Sequence, residues 1–158
     1  MSEYAFARVI HVLGVVLWIG GVAMVTTVLL PAMKRMKPGE EPITLFERLE
    51  SRFAFQAKIA TVLTGLSGFY MLDYIDGWSR YSDPKFWWLH AMTIVWAIFT
   101  LVLFVLEPLV LSRMYKEHGA RNPTKTLAVV HRLHLVLLVV SLLTIAGAVA
   151  GSHGWFVF

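Results

Sequence analysis

Apolar and polar positions divide the chain into four long hydrophobic stretches joined by shorter charged ones. Val9–Met33 and Phe86–Leu106 contain no charged residue, and Leu133–Phe158 contains none while its histidines are neutral. Ile59–Leu72 is uncharged but shorter, so this span borrows Phe53–Lys58, with the Lys58 ammonium reaching along its own stem toward the interface. A helix needs about 20 mostly apolar residues to cross a bilayer. The pattern therefore predicts spans over 4–33, 53–75, 85–112 and 126–151, in one domain covering 1–158. The expected fold is all-α, an integral membrane four-helix up-down bundle in contact with the lipid bilayer.

Helix-boundary residues agree with that division. Ser2 can cap the first helix, and Pro38-Gly39 closes its extension beyond the membrane. Pro42 suits the first turn of the second helix. Asp83-Pro84 reads as a cap and first position for the third helix, with Gly119 as its stop. Asn122-Pro123 repeats that signal for the fourth, which is expected to end near Gly151. Pro31 and Pro108 fall inside helices and predict kinks whose freed backbone groups neighbouring helices can satisfy. The amphipathic run "ITLFERLESRFAFQAKIA" predicts that the second helix begins inside it and projects from the membrane.

Composition adds weight to the membrane assignment. The chain is 58% hydrophobic and 15% charged, against about 25% charged for a soluble domain. Mean hydropathy is +0.67. There is no cysteine, which excludes disulfides, thiolate ligands and covalent haem attachment through CxxCH. The first apolar run is too long for a secretory signal and no small-x-small cleavage site follows it, so a retained helix is expected.

The net charge of +4 comes from clustered basic residues. Lys34, Arg35, Lys37, Arg48, Arg52 and Lys58 lie between the first two spans. Arg113, Lys116, Arg121, Lys125 and Arg132 surround the connection of the last two. Only Arg8, Arg80 and Lys85 lie on the opposite side. This asymmetry places both basic loops in the cytoplasm and both termini outside. Trp78, Tyr81, Trp87, Trp88 and Trp155 then gather at the outer interface. No basic patch interleaved with aromatics points to nucleic acid. Homo-oligomer formation stays open.

Ionisable side chains within spans usually face the bundle interior, and they are few here. His11 lies roughly 10 Å from Tyr4 at about 1.5 Å per residue. Gly14, Trp18 and Gly21 continue its stripe. An imidazole beside two glycines describes a ligand next to room for a flat group. It equally describes a hydrogen-bonded core histidine beside two close-packing glycines. His90, in "FWWLHAM", lies at a similar depth on the third helix, which is diagonal to the first in an up-down bundle. Two inward imidazoles facing each other fit the axial ligands of a non-covalent b-type haem. Arg8, one turn further out, can pair with a propionate or can snorkel to the headgroups.

His134 is a candidate for a second haem or metal site, or a hydrogen-bonded core residue. His131 reads as interfacial beside Arg132. Glu107 is the one carboxylate embedded in the third span, and Lys58 or Arg132 lies at the right depth to pair with it. A proton relay is the sharper alternative for Glu107. The methionines read as core filler.

"RVIHVLGVVLWIGGVAMVTTVLLPA" resembles the first helix of the CopD-like and HemJ-like bacterial membrane proteins, which carry an H-x(6)-W-x-G-G pattern, here His11, Trp18, Gly20 and Gly21. "FWWLHAM" is similar to the start of their third helix. The resemblance implies a four-helix bundle in a bacterial inner membrane. HemJ-like proteins are protoporphyrinogen oxidases that bind haem b through the first-helix histidine and a third-helix lysine. His11 matches the histidine, but Met92 stands where the lysine falls. CopD-like proteins imply copper handling, with copper as the alternative ligand of the histidines. The resulting expectation is a haem b protein with bis-histidine ligation that transfers electrons from or to a quinol or an outer redox protein.

Overall fold

The computed structural model describes residues 2–36, 42–111 and 122–155, and the described residues form four long helices without a strand. They are α1 (Glu3–Lys34), α2 (Pro42–Tyr74), α3 (Pro84–Leu109) and α4 (Pro123–Ser152). A two-turn 3₁₀ segment, Gly77–Ser82, carries the chain from α2 to α3, whose first turn, Pro84–Phe86, is also 3₁₀. The loop residues Pro38, Gly39, Lys37, Arg113, Lys116, His118, Gly119 and Arg121 lie outside the described residues.

α1, α3 and α4 start where their capping chemistry allows. The Ser2 hydroxyl accepts from the Ala5 amide at 3.3 Å, satisfying one of the four unpaired amides at the start of α1. The Asp83 carboxylate accepts from the Lys85 amide at 3.0 Å, and the Asn122 side chain from the Lys125 amide at 3.2 Å. In both cases proline follows, where its missing N–H costs nothing. α2 begins at Pro42 and runs unbroken for 33 residues. Between α2 and α3, Asp76 takes a left-handed conformation (φ 48°), which turns the chain without a glycine.

The two internal prolines act through wide turns. Residues 25–29 wind as a π-helix just before Pro31, and Leu30 donates to the Val25 carbonyl five residues back. Thr26 and Thr27 hydroxyls reach the Val22 and Ala23 carbonyls at 2.7 and 2.8 Å, so the loosened turn stays hydrogen-bonded. In α3 the π winding covers Val102–Leu111 and contains Pro108. A π-turn is a common way for a helix to absorb a residue that cannot donate its own N–H.

α1 packs mainly against α2 and α3 mainly against α4, with lighter α1–α4 and α2–α3 contacts, so α1 and α3 lie on one diagonal. A core of Trp18, Ile19, Val22, Ala57, Ala60, Val95, Phe99 and Leu138 draws on all four helices. A second core, built of Val25, Leu30, Met33, Phe46, Leu127 and Val130, closes the other end between α1, α2 and α4. Glycines set the helix spacing. Phe53 of α2 fills the space beside Gly21, Trp96 of α3 lies on Gly65, and Trp87 and Trp88 lie on Gly147 and Gly151 of α4.

The outward faces are apolar instead of charged. Val16 of α1, Leu66 of α2, Ile94 of α3 and Leu143 of α4 are 60%, 66%, 58% and 65% exposed. Contiguous apolar surface of this kind belongs against lipid. α1, α3 and α4 are long and apolar enough to cross a membrane. α2 falls short of them because Arg48, Arg52 and Lys58 interrupt its first half. The molecule is therefore a helical membrane protein.

Candidate functional site

His11 sits half-buried on the face of α1 that meets α2. Its Nδ1 lies 2.9 Å from the Thr64 carbonyl and 3.4 Å from the Ser67 hydroxyl. A carbonyl only accepts, so this bond puts the proton on Nδ1. Nε2 is then the unprotonated nitrogen of the neutral ring, and it has no hydrogen bond among the described residues. Ser67 Oγ itself donates to its own helix, reaching the Leu63 and Thr64 carbonyls. Gly68 completes the cradle: a Cβ there would lie 3.1 Å from His11 Cε1, so glycine lets the ring rest on the α2 backbone.

Below this cradle α1 and α2 carry three orphaned polar atoms. Trp18 Nε1, Thr61 Oγ1 and Thr64 Oγ1 are all buried without a hydrogen-bond partner. Buried polar groups are nearly always satisfied, so three on two neighbouring helices need a reason. They are of the kind that a bound polar group or an ordered water completes. Thr64 Oγ1 also occupies the space beside Gly14, and the Ala60 carbonyl lies 3.3 Å from where a Gly14 Cβ would stand.

The expected site residues therefore divide. Gly14 and Gly21 meet the α2 side chains of Thr64 and Phe53, the contact that the close-packing alternative describes. Trp18 is 3% exposed and meets Phe99 edge-on across the α1–α3 diagonal, with ring centroids 4.8 Å apart. Arg8 is exposed near the N-terminal end of α1, without an ion pair among the described residues.

His90 is half-buried near the start of α3 and packs edge-on against Tyr81, 5.1 Å between centroids. The Tyr81 hydroxyl is 2.6 Å from the Thr93 hydroxyl, which donates to the Leu89 carbonyl. His90 itself makes no hydrogen bond among the described residues. His11 and His90 thus stand on diagonal helices, each with a free ring nitrogen. Met92, the position of the HemJ-like lysine, is half-buried on α3.

At the other end, His134 Nδ1 bonds the Val130 carbonyl of its own helix at 3.0 Å. His131 Nδ1 accepts from the Lys34 ammonium at 2.6 Å, tying α4 to the end of α1 instead of standing beside Arg132 alone. Lys58 meets Glu107 at 2.6 Å, the first of the two partners expected for that carboxylate. The contact is an ion pair without the alignment of a hydrogen bond. Among the described residues no group of three or more histidines and carboxylates gathers to hold a bare metal ion.

Sequence reasoning missed Thr64, Ser67 and Gly68. Their spacing in "TGLSG" was the available signal, since positions three and four apart share a helix face. Comparison with protein-family models, with curated proteins and with solved structures finds no match for this chain.

Proposed function

We propose that the chain is a four-span membrane protein of the bacterial inner membrane, with both termini on the outer face, that binds haem b through His11 and His90. Its activity would be electron transfer at the membrane, with a quinol or an outer redox protein as partner. The observation that carries this reading is the Nδ1 bond from His11 to the Thr64 carbonyl. Metal-bound histidines almost always donate their other ring N–H to a carbonyl or carboxylate, which fixes the tautomer and aims the free nitrogen. The orphaned hydroxyl of Thr64, whose carbonyl meets His11, also suits a site completed by a bound group.

The donor set fits haem: two neutral imidazoles on diagonal helices and no thiolate. When bound, haem supplies a one-electron iron couple whose potential follows its axial ligands and the dryness of its site. The chain's own residues do the rest. Thr64 and Gly68 hold the His11 ring in place. Trp18 and Phe99 keep water from the level below. Arg8, one turn further out on the His11 side of α1, is placed to meet a propionate.

A second reading is a cofactor-free partner subunit, and the filling of the Gly14 and Gly21 positions by α2 favours it. The two separate in one experiment. The protein is purified in mild detergent from cells supplied with haem, and its spectrum is recorded before and after dithionite. The haem reading expects a sharp reduced α band that is lost in His11→Ala and in His90→Ala. A colourless protein, in which both variants change only stability, overturns it.

A further inference from the structure

The basic end of α4 carries a groove of about 320 Å³ lined by Lys125, Ala128, Val129, Arg132 and Leu133. Seven residues separate Lys125 from Arg132. At about 100° per residue that is two turns, which puts both cations on one face roughly 10 Å apart along the axis. Neither forms an ion pair among the described residues, unlike Lys34 and Lys58, which are held by His131 and Glu107. The space between the two cations is apolar.

The same face continues apolar into the bundle's lipid-facing side. Val129, Leu133, Val136, Val140 and Leu143 follow one another at helical spacing and are 53%, 52%, 55%, 42% and 65% exposed. A ligand matching this surface has an anionic head that meets both cations and a long apolar tail beneath it. We propose that this face of α4 binds an anionic phospholipid, its phosphate held between Lys125 and Arg132 and one acyl chain lying along Val129, Leu133 and Val136. A zwitterionic lipid is the poorer match, because its own ammonium competes for the phosphate and is repelled by the two cations. The inference rests on α4 crossing the membrane, and only the leaflet that supplies the lipid depends on the proposed orientation. It is independent of haem.

The test uses the full-length protein in nanodiscs of phosphatidylcholine with a minor share of phosphatidylglycerol, followed by native mass spectrometry of the lipids it retains. Wild type is expected to keep phosphatidylglycerol in preference to phosphatidylcholine. Lys125→Gln/Arg132→Gln should lower that preference about thirty-fold, the product of two interfacial cations. Arg48→Gln/Arg52→Gln, which removes equal charge from α2, should leave it unchanged. Leu133→Ser, which keeps both cations but breaks the apolar track, should lower retention of both lipids. Equal retention of the two lipids by wild type overturns the proposal. So does an unchanged preference in the Lys125/Arg132 variant.

Discussion

The Lys58–Glu107 pair offers the most direct test of how this bundle manages charge. The two groups stand 2.6 Å apart and keep only 29% and 25% of their side-chain surface exposed. At an effective dielectric constant of about 20, their gross attraction at that distance is about 6 kcal/mol. Desolvating each ion costs several kcal/mol, so the attraction and the burial penalty nearly cancel. The pair is close to neutral as a unit, and the penalty appears when one partner is removed. Orphaning a fully buried charge costs about 3–5 kcal/mol. Since a quarter of each side chain remains exposed, Lys58→Met or Glu107→Met should cost about 2–4 kcal/mol. The double variant replaces both ions with apolar groups of similar length and should return to within about 1 kcal/mol of wild type. Unfolding of the purified protein in mixed micelles, titrated with a denaturing detergent, measures all four corners of this cycle. If either single variant stays within about 0.5 kcal/mol of wild type, or the double loses the sum of the singles, the reasoning fails.

Two further predictions use the helix seams and the topology. Gly20 and Gly21 are neighbours, yet a Cβ at Gly20 meets nothing within 4 Å while one at Gly21 runs into the Phe53 ring. Gly21→Leu should therefore destabilise by about 1–3 kcal/mol through overpacking, whereas Gly20→Leu should stay within about 0.5 kcal/mol, as for an unconstrained surface change. Equal effects in the same detergent titration would contradict the seam. The chain has no cysteine, so Ser2→Cys creates a unique label site at the capped start of α1. A membrane-impermeant maleimide should label it from outside the inner membrane, and labelling only after the membrane is opened would reverse the proposed orientation.

What the sequence made legible was local chemistry. Ser2, Asp83-Pro84 and Asn122-Pro123 start helices because caps act within one turn, so neighbours in sequence suffice to see them. Lys58 and Glu107 were found because a charge inside an apolar run is conspicuous and depth narrows its partners. Pro31 and Pro108 were placed correctly as disturbances. Their form, a π winding at each and one stitched by Thr26 and Thr27 hydroxyls before Pro31, depends on backbone rearrangement that periodicity does not encode. Gly14 and Gly21 show the limit most clearly. A glycine on an inward face says that something comes close, not whether it is a cofactor or a neighbouring helix. The placement of Thr64 and Phe53 names the α2 side chains that come close, which no glycine spacing could.

The distribution of polar contacts leads to a last prediction, about α2. Most hydroxyls in the apolar helices turn back to their own backbone: Thr93, Thr100, Ser141 and Thr144 each donate to the carbonyl four residues before. That arrangement suits lipid, where each helix has to satisfy itself. The polar contacts that cross between helices within the apolar region converge on α2. His11 reaches Thr64, the Trp96 indole donates to the Thr61 carbonyl at 2.9 Å, and Glu107 meets Lys58. The helix with the weakest apolarity thus offers backbone carbonyls to His11 of α1 and Trp96 of α3, and its Lys58 finds its counter-charge on α3. It follows that α2 depends on its neighbours to enter the membrane. A segment covering 42–76 alone, fused to reporters of membrane insertion, should insert poorly. The same segment preceded by residues 1–41 should insert well, since α1 supplies most of its packing. Adding Gly14→Leu to the longer segment should undo the gain by prising α1 from Thr64. If the lone segment inserts as well as the hairpin, α2 is a span in its own right and its contacts with α1 and α3 are a consequence of insertion, not a cause.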